Sequence, residues 1–132
     1  MARRRKTTNP AERFVRYPIY IKNTFAWRQL TANAKLAWLE IGFFYNGYNN
    51  GRLCISSRRL GEAMGVSKST AARAINELLT WGFLEITKAS SFSLKKLSAE
   101  YRLTHVVCDV THKSASFRFK QFSDFLKPQK TD

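Results

Sequence analysis

The spacing of apolar residues predicts two helices in the first third of the chain. In ANAKLAWLEIGFFYN, residues 32–46, apolar side chains occupy almost every face of a helical projection, and Thr31 stands at the N-cap position. A helix with almost no polar face is expected to be buried, so we expect 32–46 to be the central helix. Thr24 is placed in the same way to cap a shorter helix over 25–30.

Runs rich in β-branched and aromatic residues predict the strands. A proline inside the first run favours an edge strand or an extended lead-in over a central strand. The last two runs are joined by a polar loop rich in serine and lysine, which predicts a β-hairpin. The runs are FVRYPIYIK (14–22), RLCIS (52–56), FLEITK (83–88) and EYRLTHVV (100–107).

The segment GEAMGVSKSTAARAINELLTWGFLE interrupts one helical pattern and restarts it two residues later. Ser57 is placed to cap the first helix, and Gly65 can adopt the left-handed conformation that ends it. Gly61 is small enough for a following helix to cross closely. Ser67 can cap that next helix, which spans 67–81. A tight turn between two helices at a fixed angle is the helix-turn-helix device.

The second of these helices has two different faces. Its inward face is apolar and consists of Ala71, Ala74, Ile75 and Leu78. Its outward face consists of Ser69, Ala72, Arg73, Asn76 and Thr80. Arginine can bridge guanine and asparagine can bridge adenine in the major groove, so Arg73 and Asn76 are candidate base-reading residues. The candidate phosphate contacts at the helix start are Ser67, Lys68, Ser69 and Thr70.

The order of these elements predicts an α+β fold of the winged helix-turn-helix type, with a three-helix core and a β-hairpin wing over 83–107. We assign residues 14–109 to this domain. Residues 1–13 are predicted to be a flexible basic arm. Residues 110–132 are predicted to be a tail outside the main fold or docked on it.

The charge of the chain favours a polyanionic partner. Lysine and arginine number 23 against 9 acidic residues, for a net charge of +14. Residues 17–108 alone carry 12 basic and 5 acidic residues, a net charge of +7. Nucleic acid is favoured over an anionic membrane surface. Further candidate DNA contacts are Arg3, Arg4 and Arg5 in the arm and Lys95 and Lys96 near the wing tip, with Lys88 and Arg102 on the wing strands.

Catalytic, metal and membrane functions find no support in the residue pattern. Cys54 and Cys108 have no zinc-type spacing and are interpreted as core thiols in a reducing compartment. His105 is expected to be packed or hydrogen-bonded, and no catalytic constellation surrounds it or His112. We therefore expect no enzymatic activity, no cofactor, no metal and no membrane span. The expected location is the cytoplasm, with the protein nucleoid-associated when bound to DNA.

A family resemblance agrees with these expectations. LGEAMGVSKSTAARAINELLTWGFLE resembles the helix-turn-helix of winged-helix bacterial transcription regulators, although Ala71 stands where the family usually has a long apolar residue. Residues 14–109 are similar to small winged-helix proteins of bacterial plasmids, prophages and integrative elements. The resemblance implies sequence-specific binding of double-stranded DNA by a transcriptional regulator. A replication-initiation or recombination (excision) accessory factor of a mobile element is the alternative, and a general nucleic-acid binder is a third.

The predicted tail, residues 110–132, is polar overall but contains several phenylalanines. We expect Phe119, Phe122 and either Phe125 or Leu126 to form a helical apolar face that packs on the domain or on a second copy, giving a homodimer or a cooperative oligomer on DNA. The sequence QFSDFLK (121–127) also partly resembles the short peptide that docks bacterial proteins on the replicative sliding clamp, with Asp124 in place of the usual leucine.

Overall fold

The computed structural model describes residues 13–88 and 99–128 of the 132-residue chain. This part of the chain is α+β, with five helices and a three-stranded antiparallel sheet in the order β1-β3-β2. The helices are α1 (Ile19–Lys22), α2 (Phe25–Gln29), α3 (Ala32–Phe44), α4 (Ser57–Met64) and α5 (Lys68–Thr80). The strands are β1 (Leu53–Cys54), β2 (Leu84–Lys88) and β3 (Glu100–Leu103), and a short 3₁₀ helix spans Arg118–Gln121.

The first predicted strand is wrong in its second half. Residues 13–18 have no regular structure, and the chain then turns into α1. Proline suits this position because the N-cap residue needs no N–H of its own, and the Pro18 carbonyl accepts from the N–H groups of Ile21 and Lys22. Ile21 is fully buried, so packing of one side chain in the core fixes the short helix.

The predicted caps of α2 and α3 are confirmed. The Thr24 hydroxyl accepts from the Trp27 N–H at 3.2 Å, and the Thr31 hydroxyl accepts from the Ala34 N–H at 3.2 Å. Helix α3 is less buried than predicted. Its core face comprises Ala34, Ala37, Trp38 and Ile41, while Leu36 and Phe43 lie exposed on its other side. Apolar composition therefore overstated the burial of this helix.

The turn between α4 and α5 has the predicted geometry, with one correction. Ser56, not Ser57, caps α4, because Ser56 has an extended backbone and its hydroxyl accepts from the Arg59 N–H at 3.1 Å. Gly65 ends the helix with a left-handed φ of 75°. At Gly61 a Cβ would lie 2.9 Å from the Val66 carbonyl oxygen, so the close approach requires glycine there.

The hairpin is confirmed, but β3 is shorter than the predicted 100–107. Strand β2 pairs antiparallel with β3, and the two residues of β1 pair with the other edge of β3. At the end of β3 the Thr104 N–H still donates to the Phe83 carbonyl, and the Asn50 side chain bonds the chain on either side of it. Its amide nitrogen donates to the carbonyls of Leu103, Val106 and Val107, and its oxygen accepts from the Leu103 N–H at 2.6 Å. This fully buried side chain therefore ties residues 103, 106 and 107 together after the sheet pairing ends.

The tail docks on the domain through residue 122, and its predicted helical face is wrong. Phe119 is fully buried and stacks on Phe83, with ring centroids 4.7 Å apart. Phe122 packs edge-on against Trp81 at 5.3 Å. The 3₁₀ helix ends at Gln121, so Phe125 does not continue this face and is completely exposed. Part of the segment assigned to a tail thus belongs to the hydrophobic core of the domain.

One cysteine was also placed wrongly by the sequence. Cys108 is buried as predicted, whereas Cys54 is exposed. The cause is the alternation of side chains along β1, where Leu53 points into the core and its neighbour therefore points out.

Candidate nucleic-acid interface

Helix α5 is held in place by its inward face. The four residues predicted for this face are buried against the core: Ala71, Ala74, Ile75 and Leu78. The helix packs on both α3 and α4. Because the Ser67 cap and the glycine-containing turn fix its start, the helix has a defined direction relative to the rest of the domain.

The outward face of α5 carries the predicted base-reading residues. Ser69, Arg73 and Asn76 are exposed, and Ala72 between them is half-buried and small. Within the described part of the chain, the Arg73 guanidinium has no ion-pair partner and the Asn76 side-chain amide has no hydrogen-bond partner. Residues three apart on a helix are neighbours, so these two groups are presented side by side to the solvent.

The acidic residue of α5 is turned away from this face, a feature that the sequence did not reveal. The Glu77 carboxylate accepts from the backbone N–H of Thr31 at 2.6 Å and from its hydroxyl at 2.8 Å. It thereby satisfies a free N–H at the start of α3. The bond spans 46 residues in sequence, so no local pattern could have indicated it. As a result, the outward face of α5 carries positive charge without a competing carboxylate.

The four residues at the start of α5 differ in the hydrogen bonds that their side chains form. The Ser67 hydroxyl accepts from the Thr70 N–H at 3.1 Å and donates to the Thr70 hydroxyl at 2.9 Å. These two hydroxyls therefore serve first as the helix cap. Lys68 and Ser69 are exposed. The positive end of the helix dipole lies at the same place.

The basic residues of the β2–β3 hairpin are placed differently from the prediction. Arg102, expected as a basic wing residue, is buried; it donates to the Ser114 carbonyl at 3.0 Å, and its Nε lies 3.8 Å from the Glu85 carboxylate. It anchors the chain after β3 instead of facing a ligand. Lys88 is exposed. The remaining predicted contacts lie outside the described residues: Lys95, Lys96, Arg3, Arg4 and Arg5.

His105 is a packed residue, as predicted. Its ring lies 5.2 Å from the Trp38 ring, and burial lowers the pKa of His105 to about 4. The side chain is therefore neutral near pH 7. Among the described residues, no three histidine, cysteine or carboxylate side chains are grouped as metal ligands would be.

No helix in the described ranges is both long enough and apolar enough to cross a membrane.

Comparison with known proteins found no relative of this chain. No family model, curated protein or solved structure matches the chain significantly.

Proposed function

We propose that this protein is a sequence-specific binder of double-stranded DNA that regulates transcription. In this proposal the domain is a winged helix-turn-helix, with α4 and α5 as the two helices of the motif and the β2–β3 hairpin as the wing. Helix α5 enters the major groove. The wing contacts phosphates or the minor groove, and the protein acts without catalysis or a cofactor.

The observation that carries the proposal is the unpaired Arg73–Asn76 face of α5. A guanidinium and an amide that are exposed and without partners in the described chain present hydrogen-bonding groups that match guanine and adenine edges. Small Ala72 lets the helix backbone come close to the bases. Since Glu77 is tied to Thr31, no carboxylate on this face repels phosphate.

The charge distribution supports the same ligand. Residues 17–108, with 12 basic and 5 acidic residues, are positive independently of the arm. Phosphate contacts supply most of the affinity of DNA-binding proteins, while base contacts supply their specificity. Lys68, Ser69 and the helix N-terminus provide phosphate contacts next to the base-reading face.

The test separates specific from general binding. A site is first selected from random duplexes with the full chain, and gel-shift titrations then compare that site with an unselected duplex. Arg73→Ala and Asn76→Ala should each lose about 1–3 kcal/mol on the selected site and little on the other. Lys22→Ala, which removes an exposed positive charge on α1, is the matched control and should affect both duplexes equally and slightly.

Two results would contradict the proposal. Equal losses on the two duplexes would mean that α5 does not read bases, and failure to select any site would remove sequence specificity. The regulatory role is tested with a promoter–reporter carrying the selected site. Expression should change when the protein is present and return to its basal level with Arg73→Ala. An unchanged reporter despite an intact footprint would exclude transcriptional regulation at that site.

A further inference from the structure

A cavity lies on the domain beside the segment that leads into α1. Its volume is about 560 Å³, and it is an open cleft lined by residues from 13–18, α1, α3 with the turn after it, and the chain from Leu103 to Val106. Its lining is largely aromatic and includes Phe14, Tyr20, Phe43 and Tyr45. Phe14 and Phe43 are substantially exposed. A cavity of this size and character fits a large apolar side chain.

The polar groups of the cavity include two arginines, together with Asn46 and His105, whose side chains can also accept hydrogen bonds. Arg16 lines it and is exposed, while the guanidinium of Arg13 donates to the carbonyls of Phe43 and Tyr45. The Trp38 indole N–H is buried and has no acceptor within the described chain. No carboxylate is found among the described lining residues. Burial, and after it the charge of Asp109, raises the pKa of the lining residue Tyr45, so a carboxylate lies near that side of the cavity. An apolar group with a negative charge next to it therefore fits with that charge beside Arg16.

The tail of the chain presents such a group on a preformed turn. Ser123 and Leu126 exchange two backbone hydrogen bonds, of 3.0 and 3.2 Å. The Ser123 hydroxyl accepts in addition from the N–H groups of Phe125 and Leu126. Phe125 is fully exposed at the tip, with the exposed carboxylate of Asp124 directly before it. Because the turn is already ordered, docking costs less conformational entropy than ordering a free peptide.

We propose that the Ser123–Leu126 turn of one copy docks in this cavity of a second copy. Phe125 enters the aromatic lining, and Asp124 pairs with Arg16. The donor is a second copy because Phe125 is completely exposed within its own chain, where Phe122 holds the tail against Trp81. This contact joins two different surfaces; it closes into a two-fold dimer where it is made reciprocally and is head-to-tail where it is made once. It is independent of DNA and goes beyond the proposed function.

The test measures self-association of the full chain without DNA, by sedimentation velocity from about 10 μM to 1 mM, since a contact this small is expected to be weak. Phe125→Ala should weaken association at least about tenfold, because a buried phenylalanine contributes more than one tenfold step. Arg16→Asp should weaken it similarly. Ile86→Ala, which shortens an exposed apolar side chain on β2, is the control and should leave association unchanged.

A mixing experiment identifies the two surfaces. Phe125→Ala retains an intact cavity and Arg16→Asp retains an intact turn, so an equimolar mixture should form a 1:1 complex although each variant alone is monomeric. Combining Asp124→Arg with Arg16→Asp in one chain should restore association. A monomeric mixture would mean that like surfaces pair, which overturns the proposal.

Three further results would also overturn it: a wild-type chain that stays monomeric throughout, a Phe125→Ala variant that associates normally, or an Arg16→Asp variant that does. Phe125 and Arg16 are both exposed, so neither substitution removes a core contact. Because no DNA is present, failure here leaves the DNA-binding proposal untouched, and success does not support it.

Discussion

The burial of Phe119 predicts that the tail stabilises the domain. Phe119 is fully buried and its ring is nearly parallel to that of Phe83, at a centroid separation of 4.7 Å. Replacing a buried phenylalanine by alanine costs about 3–5 kcal/mol. A stacked aromatic pair adds about 0.5–1.5 kcal/mol to what burial contributes. We therefore expect Phe119→Ala to lower the free energy of unfolding by about 4 kcal/mol, a large share of the roughly 5–15 kcal/mol of a typical domain.

Urea unfolding measured by tryptophan fluorescence is the assay, since Trp27 lies 5.5 Å from Phe83 and reports on this part of the core. With a slope of about 2 kcal/mol per molar urea, the midpoint should fall by about 2 M. Phe125→Ala makes the same chemical change six positions along the tail, at a fully exposed residue. It should change stability by less than about 0.5 kcal/mol. Low protein concentration keeps self-association out of the comparison.

Equal midpoints for the two variants would refute the reasoning. They would mean that the Phe119 ring is not part of the cooperative core and that the segment after residue 109 folds separately. A lower midpoint with an unchanged slope is the expected result, because the slope reports the surface exposed on unfolding.

Three further predictions concern the turn, the packed histidine and the charge. Gly61→Ala should lower the thermal midpoint, because its Cβ would lie 2.9 Å from the Val66 carbonyl oxygen and overpacking costs about 1–3 kcal/mol; an unchanged midpoint would contradict the close approach. His105 has a pKa of about 4 when folded against 6.5 in its unperturbed state, so its contribution is complete above pH 6.5 and is lost as the pH falls toward 4. His105→Gln should therefore flatten the loss of stability over this range, which urea midpoints measured at several pH values would show. For DNA, about five phosphate contacts predict a slope of log K against log salt of about −4 to −5, and a slope near zero would exclude an electrostatic ligand.

The sequence predicted best those features that depend on neighbouring residues. The caps at Thr24, Thr31 and Ser67 and the left-handed Gly65 each involve atoms within a few residues, so the amino-acid types were sufficient. The cap of α4 was displaced by one position because two adjacent serines can both accept from a backbone N–H, and only the backbone angles decide between them. The two faces of α5 followed from helical periodicity alone.

Features that depend on distant residues were missed. The end of β3 and the chain after it are bonded by the Asn50 amide, which lies more than 50 positions away in sequence. The carboxylate of Glu77 is tied to Thr31 in the same way. Arg102 looked like a surface residue because its partners, Glu85 and the Ser114 carbonyl, are brought to it only by the fold. In the candidate site, the sequence was enough to predict which residues of α5 face outward. It was not enough to predict which groups its charged side chains bond, such as Thr31 for Glu77.

The hydrogen bonds of Asn50 have a consequence for folding during synthesis on the ribosome. A ribosome completes α1, α2 and α3 before it adds the carbonyls of residues 103–107 that this buried amide requires, and Phe119 follows later still. Until then, Asn50 and the ring of Phe83 lack the partners that bury them. We therefore expect nascent chains shorter than about 120 residues to remain sensitive to protease and the domain to close as one unit only after the tail has emerged. Although its helices come first, the fold is completed only by the segment that follows residue 109.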